Sequence, residues 1–213
     1  MSARARNRRP EPTPGTGPGA GRYGSGMNTD TPARYQRWDG PAVRSRVAAL
    51  ALADPGHRRF GAAGHGYRLH PPLPEEAIRR FERAHGIVLP AAYRDFLGAV
   101  AGGGAGPDHG LLGPAEQVDE EEALYDLRAE CLRDGFLAAP FPHTTARPGP
   151  GLGGDADYSV TGSLVIGEQG CGAFSRLVVT GSGAGQVWTD DRVWGGLTPG
   201  PDFGAWYTAW LAS

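Results

Sequence analysis

Residues 73–104 read LPEEAIRRFERAHGIVLPAAYRDFLGAVAGGG, and this stretch narrows the possible folds more than any other. Pro74 suits the first helical turn, where a missing N–H costs nothing, and Glu75 and Glu76 follow where the helix dipole favours negative charge. Ile78 and Phe81 line one face. Gly86 suits the left-handed residue just past a helix end. Ile87–Leu89 form a short bridge. Pro90 then opens a second helix, with Tyr93, Phe96, Leu97 and Val100 at i, i+3, i+4 and i+7. Gly102–Gly104 stop it. Two amphipathic helices joined this tightly have apolar faces that can meet.

The flanks extend the pattern. A helix is predicted from about Pro41 to Ala53, with Val43, Val47 and Leu50 on one face. Residues 57–72 read as a loop or a short extended piece. GLLG (110–113) reads as a short strand. Leu124, Leu127 and Cys131 mark a helix over roughly 115–134, interrupted near Asp119. Residues 138–163 are a long Pro/Gly/aromatic loop, mobile or functional by its length. Next come SLVI, AFSRLVVT and QVWTDD, three short strands. GEQGCG and GSGAG separate them as turns, which makes an antiparallel meander. Asp202 is an N-cap candidate for a closing helix. Phe203, Trp206, Tyr207, Trp210 and Leu211 form its apolar stripe, facing the core.

Composition bounds the function. All 21 basic residues are arginine, which with the abundant Ala, Gly and Pro reads as GC-rich coding sequence. Residues 1–26 are Pro/Gly/Ser-rich and read as a disordered basic tail ahead of a single domain over 27–213. A start at Met27 would explain the tail; a genuine basic arm is the alternative. With five of the 21 arginines and one of the 23 acids in that tail, the rest holds 16 and 22, a net −6. An acidic body argues against direct nucleic-acid binding, which needs a basic face. Two cysteines make no disulfide framework and imply reduced thiols. No apolar run approaches membrane-helix length, and no signal peptide is apparent, so a cytoplasmic protein is expected.

Few motifs offer chemistry. A phosphate cradle needs its glycines between a strand and a helix, and GSGAG and GGGAG both lack that context. Cys171 as a nucleophile would need a base and a lowered pKa; His57, His65, His70, His85, His109 and His143 are scattered, and no family signature surrounds the thiol. The simpler reading of Cys171 is a small residue in a glycine-bracketed turn. No metal pattern is present, so no cofactor or metal is expected. The acidic run Asp119, Glu120, Glu121 and Glu122 reads as a solvated helix face or a docking patch for a basic partner. Asp190 and Asp191 carry the same two readings.

Three motifs in order carry a family resemblance: LPEEAIRRFERAHGIVLPAAYRDFL, the downstream GGG…GLLG, and LVIGEQGCGAFSRLVV…GQVW. With the closing aromatic helix they resemble the SUKH superfamily of fungal cell-wall-assembly regulators and bacterial toxin-immunity proteins, over roughly residues 41–211. The matching positions are Pro74, Gly86, Leu89, Pro90, Tyr93, Phe96, Leu97, Gly110, Gly167, Gly170, Gly172, Gly185 and Val187, all read as structural. The tail, the 138–163 loop and the absence of lysine depart from the pattern. The resemblance implies an α+β fold with a central, mainly antiparallel sheet, flanking helices, an N-terminal helical pair and a C-terminal aromatic helix. It implies no enzymatic activity. The expected partner is a protein, a toxin bound by a monomeric immunity protein. A regulatory scaffold in signalling or envelope assembly is the alternative.

Overall fold

The computed structural model describes residues 37–114, 123–149 and 158–213. Helix α1 (Gly40–Ala53) starts at Asp39, whose carboxylate accepts the Ala42 N–H, and buries Val43, Val47 and Leu50 as one stripe. A single helical turn, α2 (Ala62–His65), follows in the stretch expected to be loop. Helices α3 (Glu75–His85) and α4 (Ala91–Ala99) form the expected pair. Gly86 takes φ +64 and its N–H closes the last turn of α3. Ile78 and Phe81 of α3 and Tyr93, Phe96 and Leu97 of α4 are buried. Arg94 ties the two helices together, donating to Glu82 at 3.0 Å and to Glu75 at 2.7 Å.

Helix α5 (Ala123–Cys131) is the described part of the helix expected over 115–134; residues 115–122, with the acidic run 119–122, lie outside the described residues. Four strands then form one antiparallel meander in chain order: β1 (Ser163–Gly170), β2 (Ala173–Val178), β3 (Gln186–Asp191) and β4 (Gly196–Asp202). Helix α6 (Phe203–Ala212) is capped by Asp202, which accepts the Ala205 N–H at 3.0 Å. It buries Phe203, Tyr207 and Leu211. The fold is α+β.

Both faces of the sheet are covered. Leu177 pairs with Val187 and packs into the main core with Phe96, Phe203 and Tyr207. The next residues along, Val178 and Trp188, point the other way, into a smaller core with Phe141, Val160 and Leu197. Trp38 closes the helical side, its ring edge-on to Phe96 and Tyr207 and its indole N–H donating to the Ala92 carbonyl at 2.8 Å.

Three expectations need correction. GEQGCG is not a turn throughout: β1 runs to Gly170, and only Cys171 and Gly172 reverse the chain. The GLLG segment is reduced to an isolated bridge, Gly104 to Leu111, rather than a strand. A fourth strand, GLTPGPD, was not anticipated because glycine and proline are poor strand formers. It lies at an edge, where Pro199 and Pro201 need no ladder partner for a missing N–H. Gly170, Gly172 and Gly185 take φ of +85, +81 and +98, and a Cβ on Gly167 would stand 2.9 Å from the Gly110 carbonyl oxygen.

Candidate interaction surface

Strand register brings two turns to the same end of the sheet. Gly170 pairs with Ala173, Ala173 with Asp191, and Asp191 with Gly196. The β1–β2 and β3–β4 turns are therefore neighbours, about 10 Å apart by the spacing of strands. The first is two residues long, with Cys171 at φ +53 and Gly172 at φ +81, the left-handed pair that matches strand twist. The second is held by Asp191, whose carboxylate accepts the N–H groups of Trp194 at 3.1 Å and Gly195 at 2.9 Å. That brace leaves the Trp194 side chain 84% exposed and Val193 45% exposed.

Phe60 joins them from the other side. Its ring meets His109 edge-on at 5.1 Å and would lie 3.1 Å from a Cβ on Gly170. Yet it is 65% exposed. The segment carrying it is tightly seated: a Cβ on Gly61 would fall 1.8 Å from the Asp108 carbonyl oxygen. Asp54 organises the approach by accepting from the N–H groups of Arg58 and Arg59 and from the Tyr67 hydroxyl. The Arg58 N–H and then the Tyr67 O–H hold its carboxyl down at about 2. Below sits His65, buried, its Nδ1 accepting the Tyr67 N–H at 2.9 Å and its ring against Tyr67 and Trp210. Burial, then the charges of His57 and His109, push its pKa down. Nδ1 is thus an unprotonated acceptor, and protonation there would set two N–H groups against each other.

Asp108 and Glu168 complete this end. The His109 N–H donates to the Glu168 carbonyl at 3.2 Å, pinning residues 108–110 along β1. Asp108 adopts φ +55, and burial pushes its carboxyl up against a partial offset from His109. Four exposed side chains, Phe60, Cys171, Val193 and Trp194, thus share one end of the sheet with three carboxylates, those of Asp108, Glu168 and Asp191.

Behind the turns lies a buried ion pair. Arg176 stands opposite Trp188 in the β2–β3 register, so Asp190 is its diagonal neighbour on the same face. The Arg176 Nε donates to Asp190 Oδ2, and both side chains are fully buried. The Tyr158 hydroxyl donates to Asp190 Oδ1 at 2.6 Å, and Arg192 reaches from the surface to Asp190 at 3.4 Å and to Glu130 at 3.5 Å. Burial raises the Asp190 carboxyl, but the Arg176 charge and the Tyr158 O–H outweigh it and hold the group below its ordinary value. Burial likewise raises the Tyr158 hydroxyl, and its bond to Asp190 adds to the effect.

A family model for the SMI1/KNR4 family (SUKH-1) matches residues 72–207, more than half of the chain. The chain belongs to the SUKH-1 family. No curated protein and no solved structure matches it. Trp194, Asp191, Cys171, Asp108 and Glu168 fall inside the span matched by the SUKH-1 model, and Phe60 precedes it.

Within this SUKH-1 domain the residues expected at a docking patch divide. Asp190 is not on the surface: it is fully buried and committed to Arg176. Asp191 is half-buried and braces the β3–β4 turn. The run Asp119, Glu120, Glu121 and Glu122 lies outside the described residues. Cys131 is buried beside Arg176, Sγ to Nη1 3.5 Å, while Cys171 is exposed. The described residues contain no group of three or more metal-ligating side chains. No helix among them is long and apolar enough to cross a membrane. The exposed Trp194 and Phe60 were missed in the sequence. The signal for Trp194 was the DDRVWGG string, an acid-braced turn that only makes sense once β4 is recognised.

Proposed function

We propose that this SUKH-1 chain is a non-catalytic protein-binding module, and that its task is immunity: it neutralises a protein toxin by occupying the toxin's surface inside the producing cell. The family includes toxin-immunity proteins as well as fungal regulators, which supports the class. The observation that carries the binding role is the pair of exposed aromatics, Trp194 at 84% and Phe60 at 65%, on braced backbone at one end of the sheet. Binding energy concentrates in such rigid aromatic anchors, because little entropy is lost when they are covered. The net −6 of residues 27–213 favours a basic partner and steers its approach. Toxins that attack nucleic acid carry basic faces, so an acidic inhibitor meets them with complementary charge.

The test is co-expression with the product of the neighbouring gene, scoring survival and the recovery of a tight one-to-one complex. Rescue with complex formation supports immunity. A complex without rescue points to a regulatory scaffold. Turnover of a substrate that disappears in Cys171→Ser would overturn the non-catalytic reading. Steered association also requires the on-rate to fall steeply with salt, and an on-rate indifferent to salt counts against it.

A further inference from the structure

Acidic side chains occur on several faces, but they differ in whether they are already neutralised. On α3, Glu75 pairs with Arg79 and Arg94, Glu76 with Arg83, and Glu82 with Arg94. That surface has no charge left to offer. At the sheet end the balance is different. Among the described residues no arginine pairs with Asp108, Glu168 or Asp191. Arg192, two residues from Trp194, is turned inward: it bonds Asp190 and Glu130 and lies over the Tyr158 ring at 5.8 Å. Exposed Arg58, two residues before Phe60, offsets one of the three charges.

We propose that the sheet end carrying Phe60, Cys171, Val193 and Trp194 docks a cationic protein surface, one that places arginine or lysine on the Trp194 ring and among the carboxylates of Asp108, Glu168 and Asp191. The proposal deepens the binding-module reading and rests on it. An indole face attracts a guanidinium or ammonium through its quadrupole, and nearby carboxylates strengthen that preference. Asp108 is the clearest sign. It is a half-buried carboxylate on left-handed backbone, paired with no arginine among the described residues and offset only in part by His109. A partner's cation relieves that cost, so the site favours cations over neutral apolar ligands. Nucleic acid and anionic membranes are disfavoured by the same charges.

The experiment is an NMR titration of the full chain with hexa-arginine amide at low ionic strength, repeated at high salt. The Trp194 indole N–H and the amides of Phe60, His109, Cys171 and Trp194 should shift together, and salt should abolish the effect. Trp194→Ala should weaken the apparent affinity about three- to tenfold. Asp108→Asn combined with Glu168→Gln should weaken it as well. Leu52→Ala, an equally exposed apolar site on α1, should leave it unchanged. Melting curves verify that each variant is folded. No binding, shifts centred on α3, shifts spread evenly over all acidic residues, or full affinity in Trp194→Ala would each overturn the proposal. Failure to protect cells in the co-expression test, with peptide binding intact at the sheet end, would remove the immunity role and leave this surface standing.

Discussion

Replacing Asp190 with asparagine keeps the side chain's shape and removes only its charge and one acceptor. Arg176 is then a fully buried guanidinium without a counter-ion. Its Nη2 already has no hydrogen-bond partner among the described residues, and the new amide can keep its one oxygen on Nε only by turning its NH2 toward the Tyr158 hydroxyl. Breaking one side of a buried pair costs about 3–5 kcal/mol. In a chain of this size about 1 kcal/mol moves the midpoint by roughly 2–4 °C, so Tm should fall by about 6–20 °C. The measurement is urea and thermal unfolding at pH 7, followed by circular dichroism. A second arm separates charge from packing. Arg176→Met together with Asp190→Leu fills the same space without ions and should stay within about 2 kcal/mol of the parent. The pH dependence has a fixed sign. Asp190 is held below its ordinary 3.8, so its contribution is present above that value and lost as pH falls further. An Asp190→Asn variant within about 0.5 kcal/mol of the parent, or a double variant less stable than the single, would refute the reasoning.

Three other outcomes are expected. Gly172→Val should destabilise by about 1–3 kcal/mol in thermal unfolding, because φ is +81 and nothing lies within 4 Å of the new Cβ, so the cost is backbone alone. Cys171→Ser should be nearly silent in the same assay, since the side chain is exposed and φ +53 is unchanged; a Cys171→Ser chain that melts well below the parent would contradict this. His65 should make stability fall as pH drops below its ordinary 6.5: its folded pKa is depressed, so the unfolded state gains the proton first. Tm measured between pH 7 and pH 5.5 should decline in the parent and decline less in His65→Gln.

Much of the scaffold was legible in one-letter code because its signals are local. The Val43/Val47/Leu50 stripe, Gly86 after α3, the aromatic period of α6 and the Asp202 cap each need only a few neighbouring residues to be read. β4 was not legible, since Thr198-Pro199-Gly200-Pro201 is a strand only by virtue of lying against β3. The docking patch suffered from the same gap. Asp190 looked like a surface acid, and its burial depends on a residue 14 positions earlier. Arg176, the one charged residue of AFSRLVVT, was the sequence's own indication of a buried acid. Phe60 and Trp194 are 134 positions apart, and their placement at the same end of the sheet comes from register and loop packing rather than from any short motif.

An open sheet has two borders, and among the described residues other segments occupy part of each. The free side of β1 is taken by Leu112 and His109, whose N–H groups bond the Ile166 and Glu168 carbonyls. Arg147 closes one end of β4 through reciprocal bonds with Leu197, and Pro199 and Pro201 deny the rest a regular ladder. Strand addition is thus closed as a route of recognition at these borders, and the binding role proposed above falls to the groups that project from the reversals. Under the proposed immunity role, a lineage facing changing adversaries would re-aim the molecule by swapping a handful of projecting groups, with the hydrogen-bonded frame beneath them untouched.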